Sequence, residues 1–311
     1  MSVTYIGIDI AKDKADACFI DDSEQVVKSQ SYPQEKFAAL VKNVAKAKPR
    51  IIVLEATGGY ERPLALLLAK KGLPFAILNP ARIRQFAKAI GYLSTTDAVD
   101  ARLLALYAKR NAVEPASMPS EKQHELRQLF ERRRQLVEMR AMEKVRAQQT
   151  SHKAAADSIG TVITHLTDQI AEIDRLLDAF IDDDPELRTR EDLLASVPGV
   201  GTTTARSLMA QLPELGEANR QEIAALAGLA PYPHESGHFR GRSMIRGGRK
   251  GARTALYMAT VSAIRFNERI RRFYERLRLS GKHAKVAVTA CMRKLLVQLN
   301  AVLKKKEPYK I

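Results

Sequence analysis

The first third of the chain changes its hydrophobic period, and this change constrains the fold more than any other feature. Residues 3–31 contain three short apolar segments separated by turn residues, which predict three β-strands joined as hairpins. From residue 37 onward the period becomes that of helices, with short buried strands between them. The predicted strands are Val3–Ile10, Ala15–Ile20, Gln25–Ser31, Ile51–Leu54 and Leu73–Leu78, and the predicted helices are 37–44, 60–71, 80–90 and 97–110. Together they predict an α/β region with a mixed five-stranded sheet flanked by helices.

The second region, residues 116–185, has the pattern of a coiled-coil helical spacer. Charged sequence from residue 121 to residue 153 predicts one long helix, and Gly160 predicts that the next helix begins near it. Apolar residues then recur at alternating spacings of four and three, the seam of a coiled coil. They are Ile159, Ile163, Leu166, Ile170, Ile173, Leu177 and Phe180. A helical hairpin within one chain and an arm that joins two protomers both remain open.

The third region, residues 186–311, is predicted to be mostly α-helical. The segment Val197–Gly201 lies between two apolar helical segments and resembles a helix-hairpin-helix turn, whose backbone N–H groups bind phosphate. A plain turn between helices would use the same residues. A loop rich in Gly and Arg follows at 231–251, and helices are expected at 252–277 and 283–303. The predicted domains are therefore 1–115, 116–185 and 186–311.

Composition limits the partners of such a chain. The formal net charge is +16, and a surplus of this size favours a polyanion. No apolar run approaches the roughly 20 residues of a membrane span, and the N-terminus has no secretory pattern. The two cysteines lie among apolar residues, which favours a reducing compartment over a disulfide framework. We therefore expect a cytoplasmic, nucleoid-associated protein that binds nucleic acid.

Four acidic residues form the candidate metal site. Asp9 ends the first predicted strand and Glu55 ends the fourth, while Asp97 and Asp100 share one face of a helix. Carboxylates brought together in this way need a hard divalent cation, of which magnesium is the usual one at phosphates and manganese is the alternative. Two such ions could stabilise both oxygens of phosphodiester cleavage. Taken singly, an Asp at a strand end or helix start is more often a cap, and the nearby Asp13 and Asp16 are expected to be solvated turn residues.

The order of these elements and acids resembles an RNase H-like nuclease core. The motifs Ile6–Lys12, Glu55–Gly58 and Thr96–Arg102 resemble those of the DEDD transposases, insertion-sequence recombinases with a RuvC-like N-terminal domain that are related to the pilin-gene inverting recombinases. The C-terminal half resembles the same family. Its matching motifs are Pro198–Gly201, Ala227–Pro231 and Gly251–Tyr257. The resemblance covers nearly the whole chain.

The resemblance implies a second catalytic centre at Ser236, which would attack a DNA phosphate and form a phosphoserine intermediate. It also implies a structured guide RNA that pairs with target and donor DNA. From the residues alone, a Ser before Gly in a polar loop is a turn residue, and Ser243 is its nearest competitor. Recombination joins four DNA ends, so we expect a homodimer or tetramer in the active complex.

Six basic residues around Ser236 are predicted to contact DNA, because glycines and serines rather than acids separate them and because Arg binds phosphate with two hydrogen bonds. They are Arg240, Arg242, Arg246, Arg249, Lys250 and Arg253. Two alternatives stay open beside the recombinase. One is a metal-dependent nuclease or junction resolvase that uses the acids alone, and the other is a nucleic-acid-binding scaffold built on the coiled coil.

Overall fold

The computed structural model describes residues 4–92, 97–116, 120–232, 235–236, 239–240 and 244–310. The side chains of residues 97–98, 235–236 and 239–240 lie outside that description. By compactness the chain divides into two units, residues 1–118 and residues 119–311. Each unit is described by itself.

The first unit is built on the predicted mixed sheet of five strands. The strands are β1 (Tyr5–Ile10), β2 (Lys14–Ile20), β3 (Val26–Pro33), β4 (Ile51–Glu55) and β5 (Phe75–Leu78). Their order in the sheet is β3-β2-β1-β4-β5. Strands β1, β2 and β3 pair antiparallel, whereas β4 pairs parallel with both β1 and β5.

Helices cover both faces of this sheet. They are α1 (Phe37–Ala47), α2 (Arg62–Lys70), α3 (Pro80–Ala89) and α4 (Asp97–Arg110), and a 3-10 turn precedes α1 at Gln34–Lys36. Successive side chains of a strand point to opposite faces of the sheet, so each face has its own hydrophobic core. Ile6 and Ile8 pack with residues of α1 and α2, whereas Tyr5 and Val53 pack with residues of α3 and α4.

Helix α4 lies in close contact with β1 at Gly7. A Cβ built on Gly7 would lie 2.7 Å from the Cβ of Leu104 and closer still to the backbone of Ala101 and Ala105. Only glycine leaves room for this approach. The contact fixes the height of α4 above β1.

The second unit begins with the helical hairpin α5 (Glu121–Gln149) and α6 (Lys153–Asp182). Part of the coiled-coil seam packs inside the hairpin, where Leu166 and Ile170 bury against Leu136. The prediction that the second helix begins near Gly160 is wrong. Gly160 lies at an exposed position inside α6, where a glycine costs only about 1 kcal/mol relative to alanine.

Six further helices follow the hairpin in the described part of the second unit. They are α7 (Pro185–Ala195), α8 (Thr202–Gln211), α9 (Arg220–Leu226), α10 (Lys250–Phe266), α11 (Glu268–Leu279) and α12 (Ala284–Lys305). The prediction of a single helix over 252–277 is wrong, because the helix is interrupted at Asn267. The Asn267 side chain accepts a hydrogen bond from the Ile270 N–H at 3.2 Å and caps α11, an N-cap role that asparagine favours.

Among the described residues, α12 is long and apolar enough by length and composition to cross a membrane. Half of its most apolar window is buried inside the second unit. Its side chains Cys291, Leu295 and Leu299 are fully buried in the core, so a core helix accounts for its composition. The other cysteine, Cys18, is buried in the first unit beneath α4.

Candidate active site

Strand register brings the first two predicted acids side by side. In the parallel pair β1–β4, Gly7 lies opposite Val53 and Ile8 opposite Leu54, so Asp9 and Glu55 follow as the next residues of adjacent strands. Because side chains alternate along a strand, Asp9 points to the same face as Gly7, the face that α4 covers. The same alternation places Glu55 with Val53 on that face.

Helix α4 brings a third carboxylate to this edge of the sheet. It begins at Asp97, and Asp100 directly precedes Ala101, whose carbonyl oxygen is the atom nearest to a Cβ built on Gly7. Burial, and then the negative charge of Asp100, raise the pKa of Glu55, while the charge of Arg84 on α3 acts in the opposite direction. Glu55 and Asp100 are therefore electrostatic neighbours that repel each other when both are ionised. The side chain of Asp97 lies outside the described residues.

A fifth acid, Asp16, lies beside Asp9, and the prediction that it is a solvated turn residue is wrong. Asp16 belongs to β2 and pairs with Asp9 across the antiparallel β1–β2 ladder, so the two side chains share a face. The Asp16 carboxylate is 16% exposed and forms an ion pair with Lys14 Nζ at 3.1 Å. Two carboxylates directly opposite one another destabilise a sheet unless a cation compensates them, and Lys14 supplies one positive charge.

The chemistry of this donor set suits a hard divalent cation. Asp9 and Glu55 share one face of the sheet, Asp100 on α4 is the electrostatic neighbour of Glu55, and oxygen ligands are those that magnesium and manganese prefer. Among the side chains that the structure describes, no three His, Cys, Asp or Glu residues are close enough together to hold a metal ion. Asp9, Glu55 and Asp100 therefore do not form a three-ligand metal site by themselves in this arrangement.

Glu61, which the sequence did not single out, holds the loop that follows Glu55. Its Oε2 accepts hydrogen bonds from the backbone N–H groups of Thr57 at 3.0 Å and Gly59 at 2.9 Å. Gly58 and Gly59 have positive φ angles of 74° and 115°, which glycine adopts without strain. The Glu-Ala-Thr-Gly motif is thus a fixed turn between β4 and α2, and it orients the end of the strand that carries Glu55.

In the second unit, Ser236 lies on a β-ribbon where a plain loop was predicted. Two-residue strands β6 (Pro231–Tyr232) and β9 (Met244–Ile245) pair at its base, and β7 (Glu235–Ser236) pairs with β8 (Phe239–Arg240) nearer its end. In this second pair Ser236 lies opposite Phe239. Arg242 and Ser243 lie outside the described residues, as do the side chains of Ser236 and Arg240.

The basic residues after the ribbon fall into two groups. Arg249 donates to both carboxylate oxygens of Glu214, at 2.5 and 2.6 Å, and to the Gln211 carbonyl at 2.8 Å. Burial is the largest influence on Glu214 and raises its pKa, but the hydrogen bonds from Arg249 and from the Glu214 backbone, together with the charges of Arg249 and Arg127, hold this pKa below its ordinary value. Arg253 donates to the Gly247 carbonyl at 2.7 Å. These two arginines fix the base of the ribbon.

The other group, Arg246 and Lys250, is exposed to solvent. Neither carries a carboxylate partner in the part of the chain that the structure describes. Two glycines of the same segment serve packing, since a Cβ on Gly248 would collide with the backbone of Gly228 and a Cβ on Gly251 with the side chain of Gln211. Gly228 and Gly251, which belong to two of the three C-terminal motifs, are therefore at positions of close packing.

The turn between α7 and α8 is compatible with both predictions for its sequence, a phosphate-binding helix-hairpin-helix turn and a plain turn between helices. Gly199 has a φ of 95°, and a Cβ there would lie 2.5 Å from the Ala263 Cα of α10, so this glycine is needed for packing. Gly201 and Thr202 are exposed at the start of α8, where helix N–H groups remain available to an anion.

Known proteins match the chain from end to end. Residues 6–184 match the family model of DEDD transposases of the IS110 type, described as "Transposase", and residues 191–275 match "Transposase IS116/IS110/IS902 family". The chain is 33% identical over 323 residues to the Pilin gene-inverting protein of Moraxella lacunata, with 99% of this chain and 98% of that protein covered. It is 24% identical over 265 residues to the "Transposase for insertion sequence element IS1111A" of Coxiella burnetii, with 76% and 71% covered.

Proposed function

The chain belongs to the IS110/IS116/IS902 family of transposases, as its motifs predict, and from this premise we propose the chemistry that it performs. It is a DNA recombinase that cleaves and exchanges strands through a phosphoserine intermediate on Ser236. Asp9, Glu55, Asp97 and Asp100 hold magnesium, or manganese, for this reaction. The observation that carries the proposal is the convergence of β1, β4 and α4 on one edge of the sheet.

The first unit is proposed to have the RNase H-like fold. The order of its strands supports this, because three antiparallel strands are followed by two parallel ones and the acids lie on β1, β4 and a late helix. Asp9 and Glu55 on the sheet, with Asp97 and Asp100 on α4, would hold the metal, which would supply Lewis-acid stabilisation of charge on the phosphate oxygens.

Ser236 is the proposed nucleophile. Its Oγ forms a bond to phosphorus, one ester oxygen of the DNA leaves as a hydroxyl, and the serine proton goes to that leaving oxygen. The phosphodiester energy is kept in the serine ester. A hydroxyl of the partner strand then attacks the same phosphorus, and Ser236 leaves and recovers its proton. No external energy source is needed.

DNA contacts are proposed for the exposed basic residues near the ribbon, Arg240, Arg242, Arg246 and Lys250. Arg249 and Arg253 are proposed to act differently from the sequence expectation, by holding the base of the ribbon through Glu214 and Gly247. Target choice is proposed to rest on a guide RNA, since base pairing can supply sequence specificity while the protein supplies mainly backbone-binding charge. The formal net charge of +16 supports this division of labour.

The active complex is proposed to be a homodimer or a tetramer, assembled through the α5–α6 hairpin. Exposed apolar side chains along the hairpin support this, with Met142 53%, Val145 52% and Val162 42% exposed. These side chains lie outside the buried layer of Leu136, Leu166 and Ile170. The division of the chain into three domains, with the hairpin as the second, also remains a proposal, as does a cytoplasmic location.

One assay separates this function from its alternative, a metal-dependent endonuclease or resolvase that uses the acids alone. The protein is incubated with DNA substrate, RNA transcribed from the DNA flanking the gene, and magnesium, and is then denatured and resolved by electrophoresis. A covalent protein–DNA adduct that disappears in both Ser236→Ala and Asp9→Asn is the expected result, with Ser243→Ala as the matched control that retains it. Cleavage without an adduct that survives Ser236→Ala but not Asp9→Asn supports the alternative.

A further inference from the structure

A second concentration of positive charge follows the ribbon in the sequence, on helices that come after it. Between residues 265 and 294 the sequence holds ten Lys and Arg residues and only two acids, Glu268 and Glu275. This segment covers the end of α10, all of α11 and the first half of α12. On α11 only Ile270 is fully buried, so most of these cations face solvent.

Three of these cations are held by aromatic rings. Arg276 Cζ lies 5.2 Å from the centroid of the Phe273 ring, and Lys294 Nζ lies 4.5 Å from the same centroid. Arg269 Cζ lies 5.8 Å from the centroid of the Tyr309 ring, and Lys294 Nζ donates to the Arg269 carbonyl at 3.4 Å. We call Arg269, Arg276 and Lys294 the α11 cation cluster.

Tyr309 ties the C-terminal segment to this cluster. Its backbone N–H donates to Ser196 Oγ at 2.9 Å, and its hydroxyl donates to the Asn267 side-chain oxygen at 3.4 Å. The ring beneath Arg269 is thus anchored at both ends.

A ring partner leaves a cation able to bind an anion. A carboxylate would neutralise the charge, as Glu268 does for Arg272 on the same helix, whereas an aromatic face orients the guanidinium and leaves its N–H groups for an incoming phosphate. Within the described residues, no ion pair joins a member of the cluster to an acid.

The cluster fits the backbone of duplex DNA. Single-stranded nucleic acid is bound by grooves in which bases stack on open aromatic faces, but here the Phe273 ring is already occupied by Arg276 and Lys294. A duplex presents phosphates at regular spacing and needs no stacking platform. We propose that the α11 cation cluster, which lies on α11 and α12 and not on the ribbon strands, is a docking surface for the phosphate backbone of duplex DNA. This inference rests on the proposed function only in taking DNA as the substrate.

Equilibrium binding of the full-length protein to a fluorescent DNA duplex tests it. The measurement is made without metal and in a Ser236→Ala background over a series of salt concentrations, so that neither proposed catalytic centre enters the result. The test variant is Arg269→Gln with Arg276→Gln. The matched control is Arg220→Gln, an exposed arginine of the same unit that lies between Glu217 and Glu222 in the sequence.

The double variant is expected to reduce the slope of log K against log salt by about 1.8, because each lost phosphate contact removes about 0.9. Its affinity at low salt should fall by about tenfold or more. Arg269→Lys with Arg276→Lys should retain the wild-type slope, and the melting temperatures of all variants should agree. A double variant that binds with the slope and affinity of Arg220→Gln overturns the proposal.

An RNA duplex of the same sequence, used in the same titration, tests the choice of DNA. If the double substitution weakens RNA binding and leaves DNA binding unchanged, the assignment to DNA is wrong. If wild-type protein binds no DNA at any salt concentration, the proposed function itself fails, which is a different outcome from a failure of the cluster.

Discussion

Replacing Gly7 by alanine tests whether the close approach of α4 to β1 builds the acidic site. The new Cβ would lie 2.7 Å from Leu104 Cβ, whereas carbon atoms in contact prefer about 3.5–4.0 Å. The nearest obstacles are backbone atoms of Ala101 and Ala105, which cannot move as a flexible side chain would. We therefore expect α4 to shift by about 1 Å and the first unit to lose about 3 kcal/mol, the upper end of the usual range for overpacking.

Hydrogen exchange of the full-length protein, followed by mass spectrometry, measures this loss locally. Peptides from β1 and α4 should exchange about a hundredfold faster in Gly7→Ala, since about 1.4 kcal/mol corresponds to a factor of ten. Peptides from the second unit should not change. Gly160→Ala is the control, because a Cβ at that exposed helical position meets nothing within 4 Å. Wild-type protection of β1 and α4 in Gly7→Ala would refute the reasoning.

Two further experiments test the electrostatics, one in each unit. Because the pKa of Glu55 is raised, the folded state loses stability as pH rises from the ordinary glutamate pKa toward the raised one. Metal-free Glu55→Gln should therefore have a higher melting temperature than wild type at neutral pH and the same melting temperature at acidic pH. A lower melting temperature of the variant at neutral pH contradicts this. In the second unit, a double-mutant cycle of Arg249→Gln and Glu214→Gln should give a coupling of about 1 kcal/mol, since the pair is bidentate yet partly exposed. The pKa of Glu214 is lowered, so the coupling is present above the ordinary pKa of glutamate and disappears as pH falls through the lowered pKa. A coupling that is unchanged in acid, or absent at neutral pH, contradicts an ion pair between Arg249 and Glu214.

The sheet and the two strand-end acids could be predicted because both depend on local pattern. Strand residues alternate with a period of two, and a carboxylate at the end of each buried strand is visible without knowing which strands pair. Asp16 could not be placed in this way. It follows Asp13 and Lys14 in a strongly charged stretch that looks solvated, and only the register of β1 with β2 puts it opposite Asp9.

The basic segment after the ribbon also shows that sequence alone does not reveal contacts between distant residues. No acid occurs between Phe239 and Arg265, so the sequence predicts cations without partners. The partner of Arg249 is Glu214, which lies 35 positions away along the chain. The helix break at Asn267 has one local signal, because asparagine favours the N-cap position. The apolar pattern continues past it, however, and the capping bond to the Ile270 N–H is known only from the structure.

Each unit carries one cysteine in its core, and this arrangement gives the protein two internal reporters. Cys18 and Cys291 are buried, and burial raises the pKa of both thiols, that of Cys291 to about 11. Such thiols react with an alkylating reagent only when the surrounding core opens. The rate of modification at Cys18 therefore reports opening of the first unit, and the rate at Cys291 reports opening of the second unit, which bears Ser236. When metal or DNA is added, the cysteine whose modification slows shows which unit the ligand stabilises, and no further residue has to be introduced.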